Sequence, residues 1–490
     1  MVRLLPASPS RMRFHESRIL EARPRAGLRL ALLAGVSVTI AGRTGEAAEP
    51  DTSTTDAAAL HPSPLASPLA LPLALPLGPP LALADAEARA LEHQPAIAQA
   101  RGQTEAAEGR VEQSRAGYLP QVTLTGLYER TTGNFASRPG SLPTTTTLPG
   151  WNSTLYNYFN FGAQGSQLIY DFGQTDGRWR AAAVNRDASQ SNERTTRAQT
   201  LLNLRRAYFQ ARAARDLIGV TSESAQNQQK HLTQIEAFVR AGIRPEIDLA
   251  QARTDLANAK VQLVTAENNY AVAIVALDQA MGLPADARFE PTETELAPVV
   301  GESAPRDQLF TDAERARPEV ATLEDQRHAQ ELTVRALAGG YGPAVSAVAS
   351  ATETGIALDH LVPNWYVGLS LGWFIFQGGL TKGQVREANG TLAALAAQLE
   401  ILRLQIRSDV EQARLAVTAA KSTIAAADEA LVNAREQLRL AERRYETGLG
   451  SVIELGDAQV AATSAGAQQV GARTSLALAR AQLLNAIGAP

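Results

Sequence analysis

Gly448-Leu449-Gly450-Ser451-Val452-Ile453-Glu454-Leu455 repeats the spacing of Gly242-Ile243-Arg244-Pro245-Glu246-Ile247-Asp248-Leu249. The offset is 206 residues, and it persists to the end of both copies, where Gly282-Leu283-Pro284 matches Gly488-Ala489-Pro490. Upstream the offset is 223, since Pro95 matches Pro318 and Tyr118-Leu119-Pro120 matches Tyr341-Gly342-Pro343. The 17-residue difference falls between Pro120 and Gly173, so the first copy carries the longer loop there. A duplicated unit of this size, mostly helical with one interruption, describes an architecture more than a catalyst.

Each interruption is followed by a long helical run. Val410, Val417, Ile424, Leu431 and Leu438 stand seven apart, with Ala413, Ala420, Ala427 and Ala434 three residues after the first four. This is a heptad seam with large residues at one position and alanine at the other, which lets helix axes approach closely. Gly177 to Gly242 gives about 98 Å of helix, whereas Asp85–Tyr118 gives about 50 Å and Glu246–Gly282 about 55 Å. One continuous helix paired with two shorter ones end to end is therefore expected in each copy. Thr311–Tyr341, Gln384–Gly448 and Val452–Gly488 are the same set in the second copy. Gly242 and Gly448 are expected to terminate the helices at the extreme tips.

The interruptions themselves are aromatic. Tyr118–Asp176 and Tyr341–Phe376 hold 16 of the 25 aromatic residues. Trp365, Val367, Leu369, Leu371, Trp373 and Ile375 alternate with Tyr366, Gly368, Ser370 and Gly372, and Val122, Leu124 and Tyr128 alternate in the same way. Period-two alternation predicts two strands of about ten residues per copy, apolar on one face with aromatics near the ends, as in outer-membrane barrels. Thr131–Pro149 and Thr352–Pro363 read as loops between them. Four strands cannot close a barrel, and an open edge is not tolerated in lipid, so the chain must oligomerise.

Composition narrows the rest. With 46 basic and 50 acidic residues, nothing suggests nucleic-acid binding. The chain has no cysteine, which excludes disulfides, thiolate chemistry and a lipid-anchored N-terminus. Residues 1–48 read as an export signal and leader, with arginines before the apolar run Leu30–Ile40, Gly45-Glu46-Ala47 as a cleavage site and Met12 as an alternative start. Residues 49–83 read as an extended Pro/Ala/Leu-rich linker, because prolines 64, 68, 72, 76 and 80 forbid a membrane helix. The first repeat then covers 84–284, with strands at about 121–172. A linker covers 285–310, and the second repeat covers 311–490, with strands at about 344–377. Histidines 15, 61, 93, 231, 328 and 360 show no i, i+4 pair, and no phosphate-binding loop is present, so neither metal, cofactor nor enzyme activity is expected.

In order, spacing and duplication the chain resembles the TolC-type outer-membrane efflux channels from about Leu81 to Pro490. The resemblance is carried by the opening Ala84–Pro95, the strand exits Tyr170-Asp171-Phe172-Gly173 and Phe376-Gln377-Gly378-Gly379, and the tips Phe238–Arg253 and Tyr445–Gln459. It implies a mainly α fold with a small β part: a homotrimer sharing a 12-stranded barrel in outer-membrane lipid, above an α-helical periplasmic tunnel. It also implies a passive exit duct that docks on a periplasmic adaptor and an inner-membrane transporter, with substrate choice belonging largely to the latter. Glu454 and Asp457 match a family acidic pair that rings the periplasmic mouth, and Tyr445 with Asp248 matches a hydrogen bond that holds it closed. Gly242, Ile243, Gly448 and Leu449 match the tip turns that adaptors engage. The family's latch arginine is Gly450 here, with Arg443, Arg444 or Arg244 as its possible replacements. The alternatives are the duct of a type I protein secretion system and, from a different class, an exported coiled-coil scaffold.

Overall fold

In a computed structural model, residues 78–132, 155–285, 289–299 and 301–489 are described. The export signal, most of the linker and the long loop of the first copy lie outside them. The chain divides into Met1–Ala70 and Leu71–Pro490, and every described residue belongs to the second unit.

Each repeat places two short helices, two strands, one long helix and one shorter helix in that order. In the first repeat these are α1 (Leu83–His93), α2 (Pro95–Ala116), β2 (Gln121–Thr132), β3 (Leu155–Tyr170), α3 (Gln174–Arg240) and α4 (Glu246–Met281). In the second they are α5 (Arg306–Ala316), α6 (Pro318–Ala338), β5 (Ala344–Gly355), β6 (Val362–Gly372), α7 (Leu380–Glu446) and α8 (Val452–Ala486). A parallel pair of two-residue strands, β1 (Pro80–Leu81) and β4 (Glu290–Pro291), ties the start of the first repeat to the inter-repeat segment. The expected linkers are accordingly shorter. Pro80–Leu81 is paired strand where an extended linker to residue 83 was expected, and Arg306–Phe310 already belongs to α5.

The lead helices of both repeats differ from expectation in the same way. Asp85–Tyr118 and Thr311–Tyr341 were each expected to be continuous, but they break at Gln94 and Arg317, both extended at ψ near 120°. Pro95 and Pro318 follow, and a proline pushes the preceding residue out of the helical region.

The long helices α3 and α7 are both 67 residues. Val410, Val417 and Leu431 are buried, as are Ala413, Ala420, Ala427 and Ala434, so the heptad seam points into the protomer. Val410, Ala413, Val417 and Ala420 pack with Leu309, Ala313 and Val320 from α5 and α6, and with Leu476 and Leu483 from α8. Because Ala420 sits in this close packing, Ala420→Leu is expected to overpack it and lower stability by about 1–3 kcal/mol. A thermal melt of the purified protein would show this as a lower midpoint. An unchanged melt would contradict the packing.

The four strands form one antiparallel sheet in the order β2-β3-β5-β6, so the two repeats meet at the β3–β5 pair. Register aligns Leu124, Ala163, Ala351 and Trp365 in one row and Val122, Gly165, Ala349 and Val367 in another. The rows between them carry Thr123, Gln164, Ser350 and Tyr366, or Thr125, Gly162, Thr352 and Asn364. One face is therefore apolar and the other polar. Leu124 is 82% exposed and Trp365 78%, so among the described residues the apolar face is uncovered. Strands of 12, 16, 12 and 11 residues exceed the expected ten. Thr131, Thr132 and Thr352–Gly355 are strand where loops were expected, while Trp373–Phe376 lie beyond the end of β6.

At both strand exits the chain turns into a long helix through two consecutive left-handed residues. The second repeat uses Gly378 (φ 60°) and Gly379 (φ 88°), whereas the first uses Phe172 (φ 54°) and Gly173 (φ 82°). The duplication preserves the backbone but places a bulky residue in an αL conformation, which ordinarily strains a side chain. Contact of the Phe172 ring with Tyr170, 5.0 Å between centroids, helps hold it there.

The candidate gate at the hairpin tips

The tips are built by helix termination. Gly242 (φ 74°) ends the α3 side, with its N–H donating to Val239 O and the Ile243 N–H to Phe238 O. Gly448 (φ 77°) repeats this, donating to Tyr445 O while the Leu449 N–H donates to Arg444 O. Glycine in αL at a helix end supplies the reversed direction without a Cβ clash. The next residues, Ile243 and Leu449, are 66% and 77% exposed, so each tip presents an apolar side chain to solvent.

Behind the turns lies a small apolar core in which Leu232 and Ile235 from α3, Leu256 from α4, Tyr445 from α7 and Leu455 from α8 are buried. Tyr445 is its centre. Its ring meets His231 edge-on at 5.1 Å and carries the Arg244 guanidinium at 4.9 Å. Burial raises the Tyr445 phenol above its usual value; Arg244 opposes and Asp248 adds to the rise. Burial also lowers the His231 imidazole, against the pull of Asp255 and Asp248.

The expected contacts are rearranged. Among the described residues the Tyr445 hydroxyl has no hydrogen-bond partner, so the bond to Asp248 is not formed in this conformation. Asp248 faces Arg244 instead, at 3.8 Å. Glu454 accepts from Arg444 at 2.9 Å, and its N–H donates to Ser451 Oγ at 3.1 Å, the helix-capping arrangement. Asp457 lines an open groove of about 980 Å³ between α4 and α8, together with Asp248 and Asp255. One helical turn thus directs Glu454 toward α7 and Asp457 toward α4. The missing latch has a steric counterpart, since a Cβ on Gly450 would stand 3.0 Å from Tyr445 N and 3.1 Å from Arg444. Of the arginines named as replacements, Arg444 and Arg244 are the two that engage the acidic residues. His231 was missed because no metal spacing drew attention to it. Its place four residues before Ile235 on the inward stripe of α3 was the available signal.

Duplicated hairpins ending in glycine turns, beneath a sheet with a bare apolar face, define an outer-membrane duct. The model of the outer membrane efflux protein family matches residues 88–283 and 309–489, and the chain belongs to that family. It is 25% identical over 423 residues to outer membrane protein TolC of Escherichia coli (strain K12), covering 80% of this chain and 79% of that protein. To outer membrane efflux protein BepC of Brucella suis biovar 1 it is 24% identical over 392 residues, covering 76% and 78%. Its fold matches the crystal structure of the outer membrane protein VceC from Vibrio cholerae with a TM-score of 0.72 at 17% identity, over 83% of this chain and 96% of that one. The family is one of ducts; the scaffold alternative is set aside.

Proposed function

We propose that the chain is the outer-membrane exit duct of a tripartite efflux assembly, in which three copies close a 12-stranded barrel and continue as a helical tunnel into the periplasm. The observation that carries this reading is the four-stranded sheet. Among the described residues the outer edges of β2 and β6 are unpaired while one face is apolar and exposed. Unpaired backbone groups cannot remain in hydrocarbon, and membrane barrels have at least eight strands. Three sheets joined β2 to β6 satisfy every edge. The exposed Ile243 and Leu449 suit a periplasmic adaptor, with energy and substrate choice supplied by an inner-membrane transporter. Native mass spectrometry in detergent tests the assembly: a trimer is expected, and a membrane-inserted monomer would end the duct reading.

Glu454, Asp457 and Asp248 are the carboxylates that such an assembly would gather at the periplasmic mouth. Carboxylates lining a constriction favour cations and obstruct anions. In planar bilayers the double change Glu454→Ala with Asp457→Ala is expected to lower the cation-to-anion permeability ratio. A wet mouth makes each carboxylate worth about 1 kcal/mol, or roughly fivefold. Wild-type selectivity in the double variant would place both groups away from the pore axis.

A further inference from the structure

Among the described residues His231 is the one imidazole in the tip core. It is 7% exposed, it stands edge-on to the ring of Tyr445, and the second repeat has Gln437 at the equivalent position. We propose that His231 is the acid-sensitive positioning residue of the tip: neutral, it backs Tyr445 and keeps the hairpins together; protonated, it releases them. The proposal rests on the reading of Tyr445 as part of the closure.

The argument is one of charge in a small apolar space. Arg244 already lies over the Tyr445 ring, so a proton on His231 puts a second cation against the same side chain. Asp255 and Asp248 pull toward the charged imidazole, but burial outweighs both. From α4, Asp248 faces Arg244, and Asp255 accepts from Gln251 Nε2 at 2.9 Å. From α7, the Glu442 carboxyl is raised from its usual value by burial and by Glu446, with Lys230 of α3 opposing. On α3 itself Glu236 faces Arg253 at 3.7 Å. On α8, Glu454 is paired with Arg444, and Asp457 lies along the groove. An imidazolium here either stays unpaired, which burial penalises, or draws Asp248 from Arg244 and frees the guanidinium from the ring. Both outcomes loosen the packing of Tyr445.

The sign follows from burial. A histidine that titrates lower folded than unfolded contributes stability in full above its ordinary value of 6.5, and loses it as pH falls through the folded value. One proton per protomer changes that protomer's own opening equilibrium by at most about tenfold per pH unit.

The test pairs single-channel recording with hydrogen exchange of the intact oligomer between pH 7.5 and 5.5, corrected for intrinsic exchange. In wild type, closed-state conductance is expected to rise severalfold on acidification, and peptides spanning 228–256 and 441–458 are expected to lose protection. His231→Phe, which keeps the ring, and His231→Gln, which keeps a polar group without a charge, are both expected to abolish the acid response. An acid response retained in both variants, or abolished by Glu442→Gln alone, would overturn the proposal. Acid-dependent exchange that needs His231 but leaves conductance flat would uphold the switch and refute the assignment of Tyr445 to the closure.

Discussion

Tyr445→Ala is expected to raise closed-state conductance and to destabilise the tip by about 3–5 kcal/mol, the usual cost of emptying a buried aromatic site. The ring is 1% exposed and joins α3, α4, α7 and α8 in one cluster, so its loss uncouples both hairpins. Tyr445→Phe is expected to do neither. The family resemblance implied a closing hydrogen bond from Tyr445 to Asp248, on which the phenylalanine variant would be the leaky one. The buried hydroxyl has no hydrogen-bond partner among the described residues, so removing it is expected to leave conductance unchanged and to raise stability by about 1 kcal/mol. Conductance and hydrogen exchange measured side by side on the two variants decide the matter. A leaky phenylalanine variant would restore the hydrogen bond as the closing contact.

The second large effect is expected at the middle of the molecule. Arg480 of α8 donates to Glu302 at 2.8 Å and to Leu296 O at 2.6 Å, and Lys421 of α7 pairs with the other oxygen of Glu302. The Arg480 and Glu302 side chains are 8% and 7% exposed. This triad fastens the inter-repeat segment to the hairpin of the second repeat. Arg480→Met is expected to cost about 1.5–3 kcal/mol, because Glu302 loses a buried charged donor but keeps Lys421. Burial works to raise the Glu302 carboxyl, but hydrogen bonds from Lys421, the Val299 N–H and Arg480 outweigh it and leave it below the usual 4.5. A depressed carboxylate contributes stability that is present above 4.5 and lost as pH falls through the folded value. Wild type is therefore expected to lose thermal stability on acidification in that range, and Glu302→Gln to lose less. Equal acid sensitivity in both would remove Glu302 from the account.

The heptad alanines, the glycine turns and the alternating strands were legible because each follows from a local rule. Residues seven apart share a helix face, αL termini want glycine, and alternation with period two gathers the apolar side chains on one face. The same rules misread the lead helices, where Pro95 and Pro318 force breaks that hydrophobic pattern does not mark. They also stopped the strands short at Thr352, where polar residues continue the ladder because their partners Gly162 and Asn364 lie on the polar face.

At the candidate gate, sequence determined which residues stand at the tips but not which of them touch. Glu454 and Asp457 are fixed on α8 by their spacing. Whether they converge depends on the helices either side, and Arg444 draws one while the α4 groove takes the other. The contact of His231 with Tyr445 spans 214 residues of chain, and no local pattern encodes it. Duplication, the lengths of the two long helices and the strand faces were determined by the sequence itself, because periodicity is a property of neighbours along the chain. The packing of α3 against α6 and α8 of the other repeat, and with it the core around Tyr445, was decided only by tertiary structure. Those contacts depend on how two amphipathic hairpins rotate about each other to bury their stripes.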